Sequence, residues 1–163
     1  MINFKYKNNS KEIKNKNNLQ NISKDELINR ALRFHSNGNI LEAVRYYKYF
    51  INKGLEDSIV FSNYALILKN KGKLKEAELF QRKAIELNPD FANAYSNLGN
   101  LLRETGKLEE AKSSTIKAIE INPNFAEAHQ NLGMILKDLG KLKEAELSTR
   151  KAIKIDPNQS ILY

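Results

Sequence analysis

Cysteine is absent from all 163 residues. That excludes a disulfide framework, a thiolate nucleophile and any zinc or iron–sulfur site built on sulfur ligands. Tryptophan is also missing, and with three prolines and seven glycines the chain is neither collagen-like nor of low complexity. The two histidines, His35 and His129, are too far apart in sequence to form a metal-ligand pair. No apolar run approaches the roughly 20 residues that span a bilayer, and none forms the apolar core of about 7–15 residues of a signal peptide. The expected address is the cytoplasm. Acid is the scarcer charge, 19 Asp and Glu against 27 Lys and Arg, a formal net charge of +8. What is present, 41% hydrophobic and 28% charged residues, is the composition of a soluble chain that forms a core.

The excess charge is unevenly placed. Residues 1–22 hold five lysines against the single acid Glu12, and seven asparagines besides. Asparagine competes with the helix backbone for hydrogen bonds, and the few apolar residues there have no sustained period. A disordered basic leader is expected, able to adhere weakly to phosphates or an acidic membrane surface.

Beyond the leader a period of 34 residues dominates. Gly38, Gly72, Gly106 and Gly140 obey it, as do Gly99 and Gly133, Pro89, Pro123 and Pro157, Ala43, Ala77, Ala111 and Ala145, and Ile51, Ile85, Ile119 and Ile153. Each period reads as two helices. Ala92 to Glu104 places Tyr95, Leu98, Gly99, Leu101 and Leu102 on one face. Thr105-Gly106 breaks the chain, Leu108 to Ile121 resumes the helical spacing, and Pro123 stops it. Ser23-Lys24-Asp25-Glu26 has the form of a capping box opening the first unit. Gly99 and Gly133, with Ala31 and Ala65 at the matching places, let the paired helices approach. One such pair cannot bury its apolar stripe alone, so neighbouring pairs must stack.

Tyr95-x-x-Leu98-Gly99, Gly106-x-Leu108-x-Glu110-Ala111, Ala118-Ile119 and Pro123 resemble the tetratricopeptide repeat family, and the frame recurs from Ala126. The resemblance covers residues 24–159. It implies an all-α, right-handed superhelical solenoid of antiparallel helix pairs, about four units, whose first helices line a concave groove. The expected units are 23–57, a degenerate capping repeat, then 58–91, 92–125 and 126–159. Residues 160–163 read as the truncated start of a further helix. Such repeats commonly hold a peptide or partner segment. The repeated Gly-Lys-Leu-x-Glu-Ala phrases also resemble bacterial arrays that precede a transferase-type catalytic domain. A glycosyltransferase- or sulfotransferase-like protein lacking that domain, with this chain as its docking or dimerising region, is therefore the alternative reading.

Asn29, Asn63, Asn97 and Asn131 share the period and would form a ladder along the first helices. Asparagine offers one acceptor and an amide donor, the complement of a peptide unit. The arrangement is similar to the asparagine ladder of O-linked N-acetylglucosamine transferases; the plainer reading is that these amides bond neighbouring helices. Lys69, Arg103 and Lys137 form a second row, with His35 in the matching place, suited to an acidic segment, although Glu104 and Asp138 beside them point toward neutralisation. A carboxylate clamp for chaperone tails is not expected, because Ile28, Ser62, Ser96 and Gln130 stand where its lysine belongs. At the other end, the Ile153 and Ile155 face with Ile161, Leu162 and Tyr163 is expected to mediate self-association, as a homodimer or by contact with another protein.

Other classes of function find little support. There is no G-x-x-x-x-G-K-[ST] phosphate loop and no G-x-S-x-G elbow, and the glycines are helix punctuation. Glu76, Glu78, Glu109 and Glu110 lie on second helices within reach of lysines. Arginine is sparse and aromatics do not alternate with bases, so no specific nucleic-acid recognition is expected. The sequence therefore points to a non-enzymatic protein–protein interaction scaffold without a cofactor, binding an extended and somewhat acidic partner segment.

Overall fold

The computed structural model describes Leu19 and residues 21–157; the leader (but for Leu19, Asn21 and Ile22) and residues 158–163 lie outside the described residues. Among the described residues there are eight helices and no strand: α1 (Lys24–Ser36), α2 (Ile40–Asn52), α3 (Ser58–Asn70), α4 (Leu74–Leu87), α5 (Ala92–Glu104), α6 (Leu108–Ile121), α7 (Ala126–Asp138) and α8 (Leu142–Ile155). The fold is all-α, a solenoid of helix pairs. Two compact units divide the chain between Leu55 and Glu56.

Local chemistry sets the helix ends. Ser23 Oγ accepts from the Glu26 amide at 3.2 Å and Asp57 Oδ1 from the Val60 amide at 2.9 Å, each satisfying one orphan N–H of a first turn. At Ser23 only this half of the expected capping box is seen, and the Glu26 carboxylate pairs instead with Arg30 at 2.5 Å. The turn inside each hairpin is a Schellman closure. Gly72, at φ 72°, donates to Lys69 O at 2.8 Å, and the next amide, Lys73, donates to Leu68 O at 2.9 Å. The same two bonds recur at Gly106 and Gly140. Gly54, the glycine outside the 34-residue period, closes α2 in the same way through Gly54 N to Ile51 O and Leu55 N to Phe50 O, where later hairpins end at a proline.

In the first unit α1 packs on α2 through Leu27, Ala31, Tyr47 and Phe50, all buried, and Phe34 lies 5.3 Å from Tyr46, ring centre to ring centre. His35 Nδ1 meets Tyr47 Oη at 3.2 Å; burial pushes the imidazole below its ordinary pKa and the phenol above its own. The outward positions of α1 carry Glu26, Arg30 and Arg33. One period later the same positions hold Val60, Tyr64 and Ile67, all buried, and two periods later Ala94, Leu98 and Leu101.

In the second unit the hairpins α3–α4, α5–α6 and α7–α8 stack, with α4 against α5, α6 against α7, and the first helices α3, α5 and α7 in sequence beside one another. Ile135 of α7 enters a socket of Leu98, Leu102 and Ala111, flanked by Ile85 and Leu139. Inside each hairpin the approach depends on small residues. A Cβ built on Gly99 would stand 2.1 Å from Thr115 Oγ1 and 3.1 Å from the Ala111 carbonyl, and one on Gly133 would stand 2.5 Å from Thr149 Oγ1. The hairpins with Ala31 and Ala65 at this place face it with Tyr47 and Gln81, which lack a branched Cβ.

Candidate peptide-binding face

The first helices of the second unit carry matching stripes. Ile59, Asn63, Leu66 and Lys69 follow one another along α3; Asn93, Asn97, Asn100 and Arg103 occupy the same places on α5, and Glu127, Asn131, Met134 and Lys137 on α7. Helical geometry puts residues three and four apart on one side, so each stripe is a single surface feature.

The asparagines differ in setting. Asn63 is half-buried and its Nδ2 donates to Ile59 O one turn back at 2.9 Å. Asn97, also half-buried, donates to Ser62 Oγ of the preceding first helix at 3.5 Å. Asn131 is 5% exposed and donates to Ser96 Oγ at 3.0 Å. Asn29, exposed on α1, belongs to the other unit. Two of the four amides thus stitch one first helix to the next, through serines that in the sequence stand out only as positions without a lysine. The signal is present there all the same, since Ser62 to Asn97 and Ser96 to Asn131 are both 35 residues apart.

The cationic row follows the same offset. Lys69 Nζ lies 2.8 Å from Glu104 and Arg103 Nε 2.6 Å from Asp138, so each cation meets an acid on the following first helix, and Arg103 does so rather than pairing with its sequence neighbour Glu104. Arg103 also points a guanidinium N–H at Met134 Sδ, 3.8 Å away. Lys137 is exposed and has no carboxylate partner among the described residues.

A second ionic cluster locks α4 to the α5–α6 hairpin. The Glu78 carboxylate receives Lys107 Nζ at 2.9 and 3.0 Å and Arg82 Nη2 at 2.8 Å, and Arg82 reaches on to Glu110. The hydrogen bond from Lys107, helped by Arg82, holds the Glu78 carboxyl below the usual carboxylate range against a desolvation that pushes it up. The carboxylates of this cluster are committed to ion pairs, and among the described residues no group of three or more His, Asp or Glu could hold a metal ion. No described helix is long and apolar enough to cross a membrane. Of the expected self-association residues, Ile153 is 42% exposed and Ile155 half-buried, while Ile161, Leu162 and Tyr163 lie outside the described residues.

Tetratricopeptide repeat models match residues 60–91, 80–113, 99–140 and 126–159, together reaching from α3 to the end of α8. The chain belongs to the tetratricopeptide repeat family. No curated protein matches the sequence of this repeat protein. Solved structures share its fold. A crystal structure of MamA superposes with a TM-score of 0.72 at 22% identity over 85% of this chain and 81% of the other. YrrB, described as a TPR protein with an unusual peptide-binding site, gives 0.73 at 23% identity over 85% and 72%. The first TPR of Spaghetti (RPAP3), bound to the HSP90 peptide SRMEEVD, gives 0.60 at 22% over 62% and 80%.

Proposed function

We propose that this protein is a non-enzymatic interaction scaffold whose α3–α5–α7 face takes an extended segment of another protein. The observation that carries the reading is the row of side-chain amides at one height on consecutive first helices. Asn63 and Asn97 are each seen to donate a single hydrogen bond, which leaves a carbonyl and a second N–H for a guest. Packed helices lie about 8–10 Å apart and an extended chain advances about 3.3 Å per residue, so every third peptide unit of a guest would meet the next amide. Ile59, Leu66 and Met134 supply apolar contact beside the row. Asn131, buried and bonded to Ser96, holds the helices in step and gives the guest little.

Tetratricopeptide repeats generally act as interaction modules, and two of the similar folds are described with a peptide or a peptide-binding site. Acidity in the guest is a secondary preference. Lys69 and Arg103 already face Glu104 and Asp138, and exposed pairs of this kind are worth about 0–1 kcal/mol, so a guest carboxylate gains only by exchanging places with one of them. Selection of binders from a random peptide library, followed by fluorescence anisotropy, tests the reading. Asn63→Ala with Asn97→Ala should weaken selected peptides about tenfold, the loss of about 1.4 kcal/mol, while leaving helical content unchanged. Unaltered affinity would assign the amides a purely structural role.

A further inference from the structure

The α7–α8 end repeats the chemistry of a surface that is covered elsewhere in the same unit. Residues 72–79 and 140–147 are identical, Gly-Lys-Leu-Lys-Glu-Ala-Glu-Leu, and so are residues 82–85 and 150–153, Arg-Lys-Ala-Ile. Lys137, Glu146 and Arg150 therefore stand where Lys69, Glu78 and Arg82 stand two periods earlier. The earlier three are the cations and acid that receive Glu104, Lys107 and Glu110 of the α5–α6 hairpin. The α5–α6 hairpin itself differs, with Lys112 and Ile116 at the places of Glu78 and Arg82.

Exposure differs between the two equivalent surfaces. The Glu78 side chain retains 16% of its accessible surface beneath α5–α6, whereas Glu146, tied only to Arg150, retains 62%. Leu142 is 66% exposed where its counterpart Leu74 is half-buried. Between Gly133, Met134 and Lys137 of α7 and Leu142, Ala145 and Glu146 of α8 lies a cavity of about 320 Å³. It is an apolar recess with an ammonium, a carboxylate and a guanidinium at its rim.

We infer that this end docks a helical hairpin of α5–α6 chemistry from outside residues 1–163. Its first helix brings a carboxylate to Lys137, the turn after it a lysine to Glu146, and the start of its second helix a glutamate to Arg150. A second copy stacked head to tail does not meet this specification. Its α1 offers Arg33 where α5 has Leu101 and Ser36 where α5 has Glu104, and its own α5–α6 is already enclosed. The rim alternates in sign, so a partner is selected by three charge matches at once, and like charges at any of them count against it.

The test uses the 163-residue chain and a fluorescent synthetic peptide of residues 88–123 as the probe, with anisotropy for affinity and far-UV circular dichroism for helix gained on binding. Saturable binding is expected. Glu146→Lys with Arg150→Glu, both on exposed side chains and outside the amide row, should weaken it at least about tenfold, and a probe carrying Lys107→Glu and Glu110→Lys should recover it. Three results overturn the inference: no saturable binding to the parent chain; equal binding to parent and charge-reversed chains; or loss of binding on Glu78→Lys with Arg82→Glu instead, which reports exchange with the resident hairpin. A concentration-dependent dimer in light scattering that Glu146→Lys disperses, without probe uptake, would show that a second copy covers the face and would equally overturn it.

Discussion

Substituting Gly99 by alanine sets two opposed effects against each other. In an exposed helix interior the change should stabilise by about 0.5–1 kcal/mol, because glycine loses more backbone freedom than alanine. Here the new methyl would sit 2.1 Å from Thr115 Oγ1, closer than any real contact, and 3.1 Å from the Ala111 carbonyl, which is backbone and cannot swing aside. Thr115 is fully buried and its hydroxyl donates to Ala111 O at 2.9 Å. Rotating it away leaves a buried hydroxyl without a partner, about 1–3 kcal/mol, and forcing the helices apart costs a similar amount. The clash outweighs the propensity, and a net loss of about 1–2 kcal/mol is expected, or about 2–8 °C in Tm for a chain of this length. The chain contains its own remedy. Ala65 occupies the matching place opposite Gln81, which has no branched Cβ and whose amide donates across the hairpin to Ser62 O at 3.4 Å. Gly99→Ala combined with Thr115→Gln should therefore lie closer to the parent than Gly99→Ala alone. Thermal unfolding followed by circular dichroism decides the matter: a higher Tm for the single variant would mean that the interhelical contact is slack and that propensity alone governs the site.

Asn131→Ala should cost about 1 kcal/mol in denaturant unfolding, since it strips a buried bond to Ser96, whereas Asn63→Ala should stay within about 0.5 kcal/mol. Equal effects at the two sites would contradict the difference in setting. Asp57→Ala removes the only side-chain acceptor seen at the start of α3 and should destabilise by about 1 kcal/mol, with Asp57→Asn close to the parent. The depressed Glu78 carboxyl contributes stability at pH values above the ordinary carboxylate value near 4.3, and that contribution is lost as pH falls through the lower folded-state value. Glu78→Gln should accordingly melt below the parent at neutral pH, with the gap closing in acid beneath about pH 4; a gap independent of pH would show that Lys107 and Arg82 do not sense the charge.

The helices are legible in the sequence because their punctuation is chemical. Gly106 needs a positive φ and Pro123 cannot extend a helix, so the letters alone bound Ala92–Glu104 and Leu108–Ile121. Gly99 is likewise readable as a site of close approach, though not the hydroxyl that it faces, because Thr115 lies on a different helix. The candidate face is legible only as rows. A period of 34 tells which residues are equivalent, whereas contact between successive first helices runs at 35, from Lys69 to Glu104 and from Ser62 to Asn97. That one-residue offset is a property of the packing between hairpins, which no single helix encodes. The charged α1 surface of Glu26, Arg30 and Arg33 is visible in the letters, but its meaning emerges only when those positions prove to be buried and apolar in α3 and α5.

The matched residues across each hairpin, Ala65 with Gln81 and Gly99 with Thr115, constrain how such a gene can be shuffled. A crossover within the identical tracts 72–79 and 140–147 would excise two periods and leave every turn intact, yet it would join α3 to α8 and set the Ala65 methyl against Thr149. The hydroxyl that crowds a methyl at Gly133 would crowd this one as well. Breakpoints between hairpins carry no such penalty, so whole hairpins, and not single helices, are the pieces this architecture can trade.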